Sequence, residues 1–128
     1  MIKQRHNQKL PDTLFADITV IQGDSVDELT VWQTVAQTGV DSITGSPIYG
    51  TPIPIDWTGA IGTCSLTDTM GTVVGALVVT LDNVGNMRLT ATSTAMALIP
   101  AGIYRFAVEV ARSGSLLHTY MRGDFICL

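Results

Sequence analysis

The side chains in this sequence that could do acid–base, nucleophilic or metal chemistry are few and scattered. There are two histidines, His6 and His118, and neither has an acid or a nucleophile at a spacing that one strand or turn would bring beside it. A general base needs a partner that orients it and shifts its pKa. Serines are plentiful, but none lies in a GxSxG elbow, so a triad built on His118 would have to assemble by coincidence. The eleven acids are dispersed singly apart from Asp27-Glu28, and no DxDxDG calcium loop is present. Asp24, Asp27 and Glu28 form the one candidate cation cluster, weighed against the commoner role of Asp24 as a turn cap beside a solvated acidic edge. Asp56 next to Trp57 has two readings, a sugar-stacking platform or a buried corner tryptophan, of which the second is the commoner arrangement. Cys64 and Cys127 make no CxxC pair and fall at core-facing positions; free buried thiols are expected, with a bridge between them as the alternative. No enzyme activity, cofactor or metal is expected.

The elements that must position these residues read almost entirely as strands. Phe15 to Gln22 alternates with Ala16, Ile18 and Val20 on one face, and Gly23-Asp24-Ser25 ends it. Leu29 to Val35 follows, with Leu29, Val31 and Val35 assigned to the core side, which leaves Trp32 on the exposed side. Residues 36–54 dissolve into Thr, Gly and Ser with Pro47, Pro52 and Pro54, and are expected to form a long loop. Loops of that length usually carry function or are ordered by a partner. Ile48, Tyr49 and Ile53 in that loop either pin it to the body or present a contact surface. Ala60 to Thr67, Val73 to Leu81 and Met87 to Thr92 form a meander, with Asp82-Asn-Val-Gly-Asn86 as the hairpin between the last two. Ser93 to Leu98 turns helix-friendly, with Ser93 or Thr94 as N-cap and Pro100 as terminator. Tyr104, Phe106, Val108 and Val110 then alternate cleanly with Arg105 and Glu109. Ser113-Gly114 makes a turn, and a last strand places Leu117, Met121, Phe125 and Cys127 inside. This pattern predicts one all-β domain, a small antiparallel Ig-like β-sandwich of about seven strands with one short helical turn. A barrel is the competing architecture.

Composition narrows the function classes. At 128 residues the chain is sized for one domain with a real core, and its 14% charged residues lie well below the usual quarter. A surface so poor in charge suits coverage by a partner, and a homo-oligomer or multicopy assembly is expected. The net charge of −4 disfavours nucleic acid as a ligand of the body. Lys3, Arg5 and Lys9 cluster in a basic N-terminal arm, residues 1–14, ahead of the domain at 15–128; the arm is read either as a loose terminus or as a segment that docks on an acidic neighbour. No apolar stretch has the form of a signal peptide or a membrane span, so a soluble protein with no membrane partner is expected.

Four corners carry a family resemblance: Val20-Ile-Gln-Gly-Asp-Ser25, Pro54-Ile-Asp-Trp-Thr-Gly-Ala60, Leu98-Ile-Pro-Ala-Gly-Ile-Tyr104 and Arg122-Gly-Asp-Phe125. Together they resemble the Ig-like domain at the N-terminus of tailed-bacteriophage upper-baseplate and tail-fibre proteins, over most of the chain from Phe15 to Leu128. The resemblance implies a non-enzymatic virion structural protein of the tail, baseplate or neck, assembled in the host cytoplasm through contacts with other virion proteins. No fibre domain follows the sandwich, which shifts the expectation toward a standalone part. A capsid decoration protein and a carbohydrate-binding adhesion module are the alternatives. Lys3, Arg5, Lys9, Ile48, Tyr49 and Ile53 are the candidate interaction residues.

Overall fold

A computed structural model describes residues 13–112 and 116–128 in full and the backbone of residues 2–6. Lys9 and the Ser113-Gly114 turn lie outside the described residues. In chain order the strands are β1 (Ile2–His6), β2 (Leu14–Phe15), β3 (Ile18–Val20), β4 (Val26–Thr34), β5 (Gln37–Val40), β6 (Pro47–Tyr49), β7 (Ile53–Pro54), β8 (Ile61–Thr67), β9 (Val73–Leu81) and β10 (Asn86–Ala91). The helix α1 (Ser93–Met96) follows, then β11 (Gly102–Ala111) and β12 (Leu117–Cys127). The class is all-β with one short helix. The longest strands, β4, β8, β9, β10, β11 and β12, pair antiparallel with one another. The short edge segments β1, β2 and β3 pair parallel with β4 or β12.

The sheet curls over its core in the order β1-β4-β10-β9-β8-β11-β12-β2. Its corner is β9. The first half of that strand pairs with β8, from Val73 opposite Thr67 to Leu77 opposite Cys64. The second half pairs with β10, from Val78 opposite Thr90 to Leu81 opposite Met87. A strand that changes partners midway turns the sheet without a break in its backbone ladder.

Alternation decides what fills the inside. On β11, Tyr104, Phe106, Val108 and Val110 are all buried, as their spacing predicts. They meet Leu66 and Cys64 of β8, Met87 and Leu89 of β10 and Phe125 of β12 in one core cluster. Each fully buried aliphatic or aromatic side chain contributes roughly 2–3 kcal/mol from apolar surface removed from water. Met96 of α1 and Ile99 join the same cluster. The N-cap of α1 is Thr92, one residue earlier than the sequence suggests, its hydroxyl accepting from the Ala95 amide at 3.2 Å. After the helix, the Tyr104 hydroxyl donates to the Pro100 carbonyl at 2.6 Å and locks the corner to the strand it feeds.

Two facings differ from the sequence reading. On β4 the inward residues are Val26, Thr30 and Trp32, and Trp32 is wholly buried instead of exposed. Leu29 and Val31, expected inside, are half-buried on the other face. A threonine inside the core misleads an alternation count, and it is tolerated because its hydroxyl reaches Met121 Sδ at 3.8 Å. On β12, Leu117 is exposed while Tyr120 and Met121 are both buried. The register explains this. Val108 faces Met121 but Glu109 faces Thr119, so Tyr120 is an extra bulged residue that shifts everything before it to the opposite face.

Candidate interaction surface

Residues 36–54, expected to be a loop, contain ordered structure. β5 and β6 form a two-stranded sheet of their own, with Val40 opposite Pro47 and Gln37 opposite Tyr49, and neither strand joins the main sheet. The hairpin is closed at its base by the Gly50 amide donating to Ala36 O at 2.8 Å. At its tip the Asp41 carboxylate accepts from the amides of Ile43 at 2.8 Å and Thr44 at 3.0 Å. Those two amides, Thr44 first, hold the Asp41 carboxyl below the usual carboxylate range. The turn therefore fixes itself with no help from the body. It also holds apolar side chains in solvent: Val40 is 55% exposed, Ile43 92%, Ile48 47% and Tyr49 45%.

The β5–β6 hairpin, distinct from the N-terminal segment and called the β5–β6 arm below, leaves the body next to the end of β4. There Gln33 pairs with Arg5 of β1 on one side and with Pro54 of β7 on the other. Thr34 similarly lies between His6 and Ile53, and its hydroxyl donates to Ile53 O at 3.4 Å. Thus the structure brings Lys3, Arg5 and Ile53 to the two flanks of one strand, whereas Ile48 and Tyr49 lie out on the hairpin. Ile53 is exposed on β7.

Beyond this junction the chain re-enters the core through the corner at Pro54 to Ala60. The Ile55 amide donates to Trp32 O at 3.0 Å and the Trp57 amide to Asp82 O at 3.0 Å, so the corner is stitched to β4 and to the turn after β9. Asp56 Oδ1 accepts from the Thr58 hydroxyl at 2.5 Å and from its amide at 2.9 Å, which lowers the pKa of the carboxyl. Ile55 and Trp57 are buried on the other side. Trp57 and Trp32 both meet the Tyr120 ring edge to face, with centroids 5.2 and 5.6 Å apart. Asp82 organises the facing turn: burial pushes its pKa up, but hydrogen bonds from the Asn86 side chain and from the Val84 and Asn86 amides bring it below the usual range.

The remaining candidates for chemistry do not assemble. His118 is exposed on β12. Asp27 pairs with Arg88 at 2.6 Å across β4 and β10, and among the described residues no three metal-ligating side chains gather. A sugar platform needs an exposed indole face, and Trp32 and Trp57 are both buried. Cys64 and Cys127 are free, buried thiols; burial pushes Cys64 up to about 12 and raises Cys127 as well. A shallow groove of about 600 Å³ lies beside Phe15, Arg105 and Arg122, open to solvent and shared with the carboxylates of Asp17 and Asp124. No helix among the described residues is long and apolar enough to cross a membrane.

The geometry defines a packed all-β body with a projecting two-stranded hairpin that carries exposed apolar side chains. Among solved structures, the N-terminal domain of phage TP901-1 ORF48 is similar to this chain, at 13% identity over 99% of this chain and 98% of that one, with a TM-score of 0.47. No protein-family profile and no curated protein sequence matches it.

Proposed function

We propose that this chain is a non-enzymatic structural protein of a bacteriophage virion, an all-β module of the tail, baseplate or neck that assembles through protein–protein contacts. The observation that carries the assembly role is the β5–β6 arm, an ordered projection that keeps Val40, Ile43 and Ile48 in solvent while spending its one acid on its own turn. On a monomer these side chains stay in water. An interface covers them, and a preformed arm loses little conformational freedom on docking. The phage assignment is supported by the resemblance of the four sequence corners, each of which has a defined structural task here. Gly23-Asp24 turns the chain after β3, with the Asp24 amide donating to Ile21 O at 3.0 Å. Asp56 and Trp57 stitch the second corner, Tyr104 locks the third, and Gly123 permits a close crossing at the fourth.

On this reading the basic segment Lys3, Arg5 and Lys9 and the apolar residues Ile48, Tyr49 and Ile53 contact neighbouring virion proteins, with the junction at the end of β4 between them. Decoration of a capsid surface uses the same features and differs only in the neighbour. The test is incorporation into particles. Two variants, one lacking Met1 to Lys9 and one with residues 37–49 replaced by a Gly-Ser linker, are expected to lose at least about tenfold in incorporation when the contacts they remove are hot spots. Wild-type incorporation of both would overturn the assignment.

A further inference from the structure

Resting on the assembly reading, we infer that the groove beside Phe15, Arg105 and Arg122 docks an acidic segment of a neighbouring virion protein. A carboxylate of that segment lies between the two guanidinium groups, and an apolar side chain next to it covers the Phe15 ring.

The strand ladders bring these side chains together. On β11, Arg105 and Ala107 alternate with the buried Tyr104, Phe106 and Val108, so they belong to the outer face. Arg105 is opposite Asp124 and Ala107 is opposite Arg122, which makes Arg105 and Arg122 diagonal neighbours on an antiparallel pair. Residues in that relation lie roughly 7–8 Å apart, within reach of long side chains. Both arginines are exposed. Phe15 is opposite Arg122 on the far side of β12 and is 73% exposed.

Charge pairing then separates these arginines from the others. Among the described residues the one ion pair joins Arg88 to Asp27, and Arg112 lies over the Trp57 ring at 5.7 Å. Arg105 and Arg122 have neither an ion pair nor a side-chain hydrogen bond among the described residues. Asp124 stands opposite Arg105 and still leaves it unpaired, while Asp17 accepts the Asp124 amide at 3.0 Å. Two neighbouring guanidinium groups repel each other. A carboxylate between them removes that repulsion and takes planar, charge-assisted hydrogen bonds from both.

Shape and the remaining charges select a protein segment over other anions. A small ligand needs a pocket that buries most of its surface, whereas this groove is shallow and open to solvent. A nucleic-acid strand brings a run of phosphates, and the Asp17 and Asp124 carboxylates in the same groove repel every charge beyond the first. One carboxylate beside an apolar side chain satisfies the arginines and Phe15 together. Arginine and aromatic side chains are also the types enriched where protein surfaces meet.

Photo-crosslinking in assembled particles tests this. With Phe15→benzoylphenylalanine in the full chain, an adduct is expected on a segment of another virion protein that carries Asp or Glu within about three residues of the attachment point. Arg105→Gln combined with Arg122→Gln is expected to lower the adduct yield at least about tenfold with the unfolding midpoint unchanged. Arg88→Gln, at an exposed position on β10, is expected to leave the yield at the wild-type level. If the Phe15 substitution itself keeps the chain out of particles, the same photoreactive residue at Thr67, opposite Arg105 on β8, carries the experiment. The inference is overturned by an adduct on nucleic acid, by one on a segment without an acid, or by no adduct from a chain that does enter particles. A yield that the two glutamines leave unchanged overturns it as well. Each of those results refutes the groove and leaves the assembly reading standing, because the chain is in the particle. A wild-type chain that does not enter particles overturns both.

Discussion

Two glycines show how closely backbone meets backbone in this fold. A Cβ on Gly123 would lie 1.7 Å from the Ala16 carbonyl oxygen, because the chain between β2 and β3 dips under β12 at that point. The dip breaks the parallel ladder, and the Asp17 carboxylate takes over as acceptor for the Asp124 amide at 3.0 Å. Gly85, at φ +83°, has Trp32 O only 2.3 Å from its missing Cβ, and that same oxygen accepts the Ile55 amide. In both cases the obstacle is main chain, which cannot rotate aside. Gly123→Ala and Gly85→Ala are each expected to cost about 2 kcal/mol or more in denaturant unfolding. Gly39→Ala, which meets open space, should stay within about 0.5 kcal/mol of wild type.

At the scale of elements, the side chains of the β5–β6 hairpin stay out of the core cluster of the body. Ala36 and Gly50 already meet at the arm's base, so a short linker can join them without strain. Replacing residues 37–49 by Gly-Ser is expected to change unfolding stability by less than about 1 kcal/mol, since none of the removed side chains belongs to the core cluster. A larger loss would show that the arm helps hold the body. This separation also explains what could be read from the sequence. β11 was legible because every second residue from Tyr104 to Val110 enters one core and nothing interrupts the count. β4 was misread by one position because Thr30 occupies a core slot that composition assigns to solvent, and Leu117 was misplaced because the Tyr120 bulge leaves no mark in residue type. β5 and β6 were hidden for a different reason. A hairpin that buries neither face has no alternation to display, and its Gly39, Gly45 and Pro47 read as loop punctuation. The residues Ile48, Tyr49 and Ile53 were visible as apolar side chains in a polar stretch, but their division between a free hairpin and β7 depends on pairing partners that only the fold supplies.

For the whole molecule, the two thiols report cooperativity. Cys64 lies on β8 and Cys127 at the end of β12, both buried, and the thiolate of Cys64 is suppressed by a pKa of about 12. Neither should react with an aromatic disulfide reagent in the native state at a rate within about a thousandfold of a free cysteine, because reaction requires opening on the scale of global stability. In denaturant both should appear together, at the midpoint seen by tryptophan fluorescence, since Trp32 and Trp57 sit in the same core cluster as the thiols. Early exposure of one thiol would mean that β8 and β12, which flank β11 in one wall, open separately. The strand that joins the two walls, β9, has a mechanical consequence. In a body made of two sheets held only by side chains, tension between opposite walls is resisted by packing and parts along a seam. Here β9 is hydrogen-bonded to both walls, so a load passing from β4 to β12 travels through an unbroken series of backbone ladders. A protein built in this way can transmit force across its width without sliding on its own core.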